Sequence, residues 1–174
     1  KIQVVKQADV VMLLYLLEHK FSKEVKKANY DYYEKRTLHD SSLSLSTHSI
    51  LASDIDEKDL AYKLFQEATK IDLGENMKTS DHGIHAASLG GLWQIVVNGF
   101  GGVRMVGGNL RINPKLPENW SRLSFSFMWK GNKLDIELTK EGIKIEVKDE
   151  MLEEIEILVY DKKYVLNQIL KIKF

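Results

Sequence analysis

The 174-residue sequence has no cysteine and only two prolines, both late in the chain at Pro114 and Pro117. The absence of cysteine excludes disulfide bonds and thiolate chemistry, and it favours a cytoplasmic location only weakly. The 25 basic and 25 acidic residues cancel, so no net field attracts nucleic acid or an anionic membrane. No apolar stretch reaches the length of a membrane span. We therefore expect neither nucleic acid nor membrane as a partner, and a small, neutral or sugar-like ligand fits this composition better.

The first half of the chain, to about Asn98, has apolar residues at helical spacing. Ser22 is placed to cap a second helix over residues 23–35, and a short helix passes through Ile50 and Leu51. A further helix runs from about Glu57 to Ile71 and ends near residue 74. The first stripe predicts a helix buried on most sides and consists of Val4, Val5, Ala8, Val11, Met12, Tyr15 and Leu16. The predicted face of the second helix consists of Val25, Ala28, Tyr32 and Tyr33.

The composition changes after Asn98, where five glycines fall between residues 99 and 108. Beyond them, apolar and polar residues alternate over 123–127, 133–138 and 143–147, a period typical of half-buried strands. Gly131-Asn132 and Glu141-Gly142 are typical hairpin turns. Further strand-like runs cover 154–160 and 164–174. The second half is therefore predicted to be an antiparallel β module.

A segment rich in glycine and histidine, residues 79–94, joins the two halves. Thr79, Ser80 and Asp81 are natural caps for a helix running from about His82 to Val97, and a helix N-terminus offers N–H groups and a positive dipole end to an anion such as phosphate. An equally good interpretation is a capped, tightly packed helix that binds nothing and in which Gly90-Gly91 lets a neighbour approach.

Four ordered segments carry a family resemblance: KQADVV (6–11), LHDSSLS (38–44), GIHAASLGGLWQ (83–94) and LRINPKLP (110–117). In this order they resemble the C-terminal part of the disaccharide phosphorylases of glycoside hydrolase family 65, which act on maltose, kojibiose and trehalose. The resemblance covers most of the chain and is weakest beyond about Asp149. It implies a mainly α plus β fold, with the last helices of an (α/α)6 barrel catalytic domain over 1–98 and a small antiparallel β-sandwich domain over 99–174.

The resemblance also implies an activity. These enzymes cleave an α-glucosidic bond with inorganic phosphate and invert the anomeric centre, which gives β-glucose 1-phosphate without a metal or an organic cofactor. One carboxylic acid protonates the leaving oxygen, and phosphate replaces the water of an inverting hydrolase. A disaccharide and phosphate, the co-substrate, are the small-molecule partners that this predicts.

Lys6 and Gln7 match the family pair that hydrogen-bonds glucose hydroxyls, because an ammonium and an amide donate to, and an amide also accepts from, such groups. Taken without the family, two polar residues that simply begin a helix are the commoner case.

Ser41, Ser42, Gly83 and His85 match the phosphate site, since hydroxyl, imidazolium and backbone N–H groups are the donors that this anion needs. Ser44 and His48 remain alternatives to the serine pair, and an ordinary polar turn and a core histidine remain alternatives to the site itself. His39 and His82 are interpreted as loop residues.

The family's general acid is a glutamate upstream of the Lys-Gln motif, and no glutamate of this chain matches it. The chain begins with Lys, five residues before that motif, which we interpret as a fragment or a processed chain. We expect it to be inactive alone and to associate with the remaining catalytic polypeptide or with copies of itself. Two alternatives stay open: a non-catalytic segment that stabilises a separate catalytic chain, and a hydrolase of the same fold.

Overall fold

The computed structural model describes residues 3–73, 83–149, 151 and 154–174. The chain divides into two compact units, Lys1–Gly99 and Phe100–Phe174, each of which is described by itself. The predicted change from helices to strands is confirmed.

The first unit is helical, and its elements follow the predicted order. Ser22 caps the second helix as expected, since its Oγ accepts a hydrogen bond from the Val25 N–H at 3.4 Å. In the described residues no helix is both long and apolar enough to cross a membrane. The elements are α1 (Asp9–Leu16), a 3-10 turn (Glu18–Lys20), α2 (Lys23–Glu34), α3 (Ser44–Asp54), α4 (Lys58–Thr69) and α5 (Ala86–Gln94), which continues as a π-helical turn (Ile95–Phe100).

Helices α3 and α5 run in the same direction. Gly91, in the second half of α5, lies so close to Ser46, in the first turn of α3, that a Cβ atom on the glycine would be 2.6 Å from the serine Oγ. Further along both helices, the Ser53 hydroxyl donates to the Gly99 carbonyl oxygen at 3.1 Å. Because later residues of α3 contact later residues of α5, the two helices are parallel and begin at the same end of the unit.

Helix α1 shares this direction. Before it begins, Val5 forms a parallel bridge with Thr37, in the segment that leads into α3. Near its end, the Tyr15 hydroxyl accepts a hydrogen bond from the Asn98 amide at 2.8 Å. Helix α4 runs the opposite way, because the hydroxyl of Ser49 in the middle of α3 donates to the carbonyl of Ala61 at the start of α4. Three parallel helices, α1, α3 and α5, therefore begin at one end.

Helix α3 lies at the centre of the unit, with every residue from Ser44 to Ser53 buried. Its polar residues are accommodated by bonds to neighbouring backbone: the Ser49 hydroxyl donates to Ala61 O at 2.8 Å and the Ser53 hydroxyl to Gly99 O. A buried hydroxyl that finds an acceptor avoids the cost of desolvation. A sequence of serines, threonine and histidine thus forms an interior helix.

The adjacent glycines Gly90 and Gly91 offer a matched test of the α3–α5 contact. Gly91→Ala would place Cβ 2.6 Å from Ser46 Oγ, and such overpacking should lower the free energy of unfolding by about 1–3 kcal/mol. Gly90→Ala meets nothing within 4 Å and should raise it by roughly 0.5–1 kcal/mol, because alanine restricts the unfolded chain. Urea denaturation of the full-length protein measures both; equal effects would contradict the close contact.

Three helical details differ from expectation. Helix α1 begins only at Asp9, after the Val5 bridge, and instead of being buried on most sides it leaves Met12, Leu13 and Leu16 exposed, the last at 60%. On α2 the buried residues are Lys26 and Tyr30, not the predicted face of Val25, Ala28, Tyr32 and Tyr33. Periodicity predicts an apolar stripe on a helix but not which neighbouring element covers it. Here Lys26 can be buried because its Nζ lies 3.6 Å from the Glu18 carboxylate and 3.9 Å from that of Asp54.

The third difference concerns α5, which begins at Ala86 with His85 at the N-cap position rather than near His82. The predicted caps Thr79, Ser80 and Asp81 lie outside the described residues. Helix α4 ends at Thr69, before its predicted end near residue 74. Of the Gly90-Gly91 pair, Gly91 does allow the close approach that was part of the alternative interpretation of this segment.

The second unit contains two four-stranded sheets, in the orders β1-β2-β6-β7 and β3-β4-β5-β8. Neighbouring strands are antiparallel except for β2 and β6. The hairpin turns predicted near Gly131 and Glu141 connect β3 to β4 and β4 to β5. The strands are β1 (Val103–Val106), β2 (Asn109–Ile112), β3 (Arg122–Trp129), β4 (Asn132–Thr139), β5 (Gly142–Val147), β6 (Ile155–Val159), β7 (Lys162–Leu166) and β8 (Ile169–Lys173).

Each sheet buries alternate residues on one face, as in a two-layer β domain. The core residues include Leu134, Ile136, Ile145, Ile112 and Ile157, all at most 1% exposed. The glycine-rich stretch after residue 98, for which the sequence suggested no strand, forms the β1–β2 hairpin around Gly107-Gly108, both with positive φ. The run 164–174 is divided between β7 and β8.

Candidate functional site

The residues singled out from the sequence lie just before the three parallel helices. Lys6 and Gln7 precede α1, Ser41 and Ser42 precede α3, and Gly83 and His85 precede α5. Since these helices begin at the same end, the structure brings the six residues to one end of the helical unit. In the sequence, the Lys6-Gln7 pair and His85 are separated by more than 70 positions.

Lys6 and Gln7 are both exposed and lie in the short segment between the Val5 bridge and α1. Val5 donates from its N–H to Arg36 O at 2.9 Å, and its carbonyl accepts from the Leu38 N–H. Gln7 lines a cavity of about 180 Å³ whose wall includes Asp9 and Thr37. The bridge therefore ties the Lys-Gln segment to the segment that leads to Ser41.

Ser41 and Ser42 lie half-buried in the turn before α3. The Ser41 Oγ accepts from the Leu43 N–H at 3.4 Å, and its carbonyl accepts from the Ser44 hydroxyl at 3.1 Å. Ser44 is buried and its Oγ also lies 3.1 Å from His39 Nδ1. Of the serines considered, Ser41 and Ser42 are the accessible ones, while Ser44 is occupied within the fold.

Two histidines lie behind this turn. His48 is completely buried, with its Nε2 3.5 Å from the Thr37 hydroxyl, and His39 meets its ring edge-on at 4.7 Å between centroids. His39 has φ of +51°, a conformation in which histidine is several-fold enriched among the few non-glycine residues that adopt it. His39 reaches this turn through Ser44, whose Oγ it contacts, and His48 packs behind His39.

The buried His48 makes the helical unit sensitive to acid. Burial, with His39 adding to it, lowers the pKa of His48 from 6.5 to about 3. Below pH 6.5, His48 takes up a proton in the unfolded chain, whereas in the folded chain it does so only near pH 3. The contribution of neutral His48 to the free energy of unfolding is therefore complete above pH 6.5 and is lost as the pH falls toward 3. Between pH 7 and 5 this loss should amount to about 2 kcal/mol.

Urea denaturation of the full-length protein at both pH values measures that loss. The loss should shrink in His48→Gln and persist in His19→Gln, since His19 is exposed in the 3-10 turn. An identical pH dependence of wild type and His48→Gln would contradict the assignment.

His85 is held by a carboxylate that was not expected from the sequence. Its Nδ1 lies 2.7 Å from Asp72 Oδ1, and its backbone N–H lies 3.2 Å from each Asp72 oxygen. The His85 ring, together with that N–H, holds the pKa of the Asp72 carboxyl below its ordinary value. Gly83, two residues earlier, is exposed with φ of +124°, a conformation that favours glycine.

The beginnings of the three helices lack a capping side chain, although α1 carries Asp9 in its first turn while α3 and α5 carry no acidic residue there. At none of them does the N-cap residue (Ala8, Leu43 or His85) accept a hydrogen bond with its side chain, in contrast to Ser22 at α2. First-turn N–H groups and the positive dipole ends of three helices therefore meet at the same end of the unit. Such an arrangement favours an anion.

Asp72 and the His39–His48 pair are the neighbours that the sequence did not reveal. Asp72 lies 13 residues before its partner, and no regular spacing links the two. His82, interpreted as a loop residue, is outside the described residues, and His39 does lie outside any helix or strand. Over the part of the chain that is described, no group of three histidine, aspartate or glutamate side chains is arranged to hold a metal ion.

Comparison with known proteins gives two family matches. Residues 1–94 match the glycosyl hydrolase family 65 central catalytic domain, and residues 103–166 match the glycosyl hydrolase family 65 C-terminal domain. The chain is 48% identical over 168 residues to a kojibiose phosphorylase of Halothermothrix orenii, across 95% of this chain and 22% of that protein. It is 45% identical to an alpha,alpha-trehalose phosphorylase of Thermoanaerobacter brockii, across 95% and 21%.

Another relative, 39% identical across 95% of this chain and 22% of its own, is a 1,2-alpha-glucosylglycerol phosphorylase of Bacillus selenitireducens. A solved structure named "Putative kojibiose phosphorylase from human microbiome" superimposes with a TM-score of 0.91 at 38% identity, over 99% of this chain and 25% of that one. The chain thus spans about a fifth of the length of the curated relatives that it matches.

Proposed function

This chain belongs to glycosyl hydrolase family 65, and on that premise we propose that it is the C-terminal segment of an inverting α-glucoside phosphorylase. Its relatives are phosphorylases named for kojibiose, trehalose and glucosylglycerol, so the substrate we propose is an α-glucoside of this class. The observation that carries the proposal is the meeting of three N-termini of helices at one end, together with His85, Ser41 and Ser42.

In the proposed reaction a phosphate oxygen attacks the anomeric carbon of glucose. The glycosidic C–O bond breaks, its electron pair goes to the leaving oxygen, and a general acid gives that oxygen a proton. The products are β-glucose 1-phosphate and the released acceptor. No glutamate of this chain matches that acid in the family pattern, so we place the acid in the remaining catalytic polypeptide. No cofactor is needed, since phosphate is itself the nucleophile.

This chain supplies positioning in that reaction. Ser41, Ser42, Gly83 and His85 hold the phosphate through hydroxyl, backbone and imidazole contacts, and the dipoles of α1, α3 and α5 offset its charge. Lys6 and Gln7 hold glucose hydroxyls. Holding both reactants in line replaces a chance encounter by a fixed geometry, and donors directed at the phosphate stabilise the charge that develops during the displacement.

The exposed apolar residues of the helical unit support association with the remaining polypeptide. On α1, Leu13 and Leu16 are 45% and 60% exposed, and on α5 Trp93 is 51% exposed. Surfaces of this kind on a helical layer are usually covered by another element. We propose that the rest of the catalytic domain covers them.

The proposal is tested with the full-length protein and with this chain alone. The full-length protein, given kojibiose, trehalose, maltose or nigerose, should release β-glucose 1-phosphate from at least one of them, and only when phosphate is present. Proton NMR of the product identifies the anomer. Release of free glucose at the same rate without phosphate would show a hydrolase instead.

The 174-residue chain alone should have no measurable phosphorolysis, because the proton donor is absent. Mixing it with the upstream polypeptide should restore activity. Release of glucose 1-phosphate by a homogeneous preparation of this chain would contradict the proposed division of roles. Activity could instead require this chain and yet be unchanged by substitutions at Lys6, Gln7, Ser41 and His85. That result would favour a segment that only stabilises the catalytic chain.

A further inference from the structure

The contact between Asp72 and His85 has a geometry that fixes more than a salt bridge requires. One carboxylate receives both the ring Nδ1 of His85, at 2.7 Å, and its backbone N–H, at 3.2 Å from each oxygen. The ring and the backbone of the residue that begins α5 are thus held by the same group. The Asp72 side chain is 15% exposed and that of His85 is 39% exposed. The carboxylate is therefore the more buried of the two groups, and the imidazole ring is the more accessible.

The chemistry of this contact decides which ring nitrogen carries the hydrogen. An ionised carboxylate only accepts hydrogen bonds, and the lowered pKa of the Asp72 carboxyl keeps it ionised. Nδ1 must therefore be the protonated nitrogen in the neutral ring. Nε2, which has no hydrogen-bond partner among the described residues, is left to meet a ligand.

We propose that Asp72 is a positioning residue for phosphate, which acts through His85 by fixing the tautomer and the direction of its ring. This rests on the proposed function, in which His85 contacts phosphate. With Nδ1 occupied, Nε2 accepts a hydrogen bond from the hydroxyl of hydrogen phosphate, and it donates one to a phosphate oxygen when the ring is imidazolium. Asp72 itself touches neither reactant.

The decisive experiment is a double-mutant cycle in the full-length protein. Asp72→Asn keeps the size of the side chain, but it removes the negative charge and offers a donor as well as an acceptor, so hydrogen on Nδ1 is no longer the only arrangement that the contact allows. This variant should raise the KM for phosphate at least fivefold and leave the KM for the disaccharide within twofold. In the His85→Ala background, Asp72→Asn should change the KM for phosphate less than twofold, because two residues that act through one contact are not additive.

Asp59→Asn, at an exposed position in the first turn of α4, is the matched control and should leave both KM values unchanged. A second measurement needs no substitution at Asp72. Nitrogen NMR of histidine-labelled wild type, with the His85 signals identified by their loss in His85→Ala, should show hydrogen on Nδ1. A neutral ring with hydrogen on Nε2 alone would overturn the inference even if Asp72→Asn does not fold.

The outcomes separate the inference from the proposed function. If His85→Ala leaves the KM for phosphate unchanged, the phosphate site itself is misassigned and both proposals fall. If His85→Ala raises that KM while Asp72→Asn does not, only the role of Asp72 is overturned. Additive effects in the cycle, or an equal rise in both KM values, would likewise show that Asp72 acts on the fold and not through His85.

Discussion

In the full-length protein, His85→Ala is expected to raise the phosphate concentration required for half-maximal phosphorolysis by about 10- to 100-fold. The reason is the loss of one charge-assisted hydrogen bond, worth about 1.5–3 kcal/mol. The ring is only partly exposed and is held by Asp72, so little rotamer entropy is recovered when it is removed. Initial rates over a range of phosphate concentrations, at saturating disaccharide, measure the effect.

The Ser41→Ala/Ser42→Ala double variant should show a loss of the same kind, since both hydroxyls are on the accessible turn before α3. His19→Ala is the control, because His19 is exposed in the 3-10 turn at the end of α1. Binding of glucose should change much less in both test variants. Unchanged phosphate affinity in two well-folded variants would return His85 to a structural histidine and the serines to an ordinary turn.

Gln7→Leu should reduce kcat/KM for the disaccharide at least tenfold, which corresponds to about 1.4 kcal/mol or more. Leucine has a similar size but neither donates nor accepts, so a glucose hydroxyl would be left without its partner, and sites built around such bonds discriminate strongly. Gln7 is on the Lys-Gln segment rather than on the Ser41 turn, so binding of phosphate in the absence of sugar should barely move. Calorimetric titration with phosphate alone measures this second quantity.

Gln94→Leu serves as the control for Gln7→Leu, because Gln94 is exposed at the last residue of α5, away from the beginnings of the parallel helices. It should leave both quantities unchanged. An equal loss of phosphate affinity in Gln7→Leu and His85→Ala would show that the two segments do not line separate parts of the site. The roles assigned to Lys6 and Gln7 would then fail.

The order of helices and strands could be predicted because it depends on local patterns. Ser22 at the start of α2 and the hairpins around Gly131 and Glu141 are examples in which one residue type matches one backbone geometry. The position of α3 could not be predicted in this way. Its hydroxyls resemble those of a surface helix, but those of Ser49 and Ser53 find acceptors in the carbonyls of Ala61 and Gly99, further along the chain.

The candidate site shows a similar division. Lys6, Ser41 and His85 could be selected by type and by family pattern, but their assembly at one end depends on the parallel direction of α1, α3 and α5. That direction follows from contacts such as Gly91 with Ser46, which join residues 45 positions apart. The role of Asp72 could not be predicted, because a single carboxylate after a helix resembles any other charged surface residue in the sequence. Only the fold places His85 beside it.

The central position of α3 has a consequence for amide hydrogen exchange. Since α3 packs against α1, α2, α4 and α5, its amides reach solvent only when the helical unit opens as a whole, and their exchange reports global stability. The turns that carry Ser41 and His85 lie outside this helix and exchange through local fluctuations. If phosphate orders those turns, their amides should exchange severalfold more slowly when phosphate is bound, with a smaller change in α3. A single exchange experiment would then distinguish the rigid helix from the binding turns by their exchange rates.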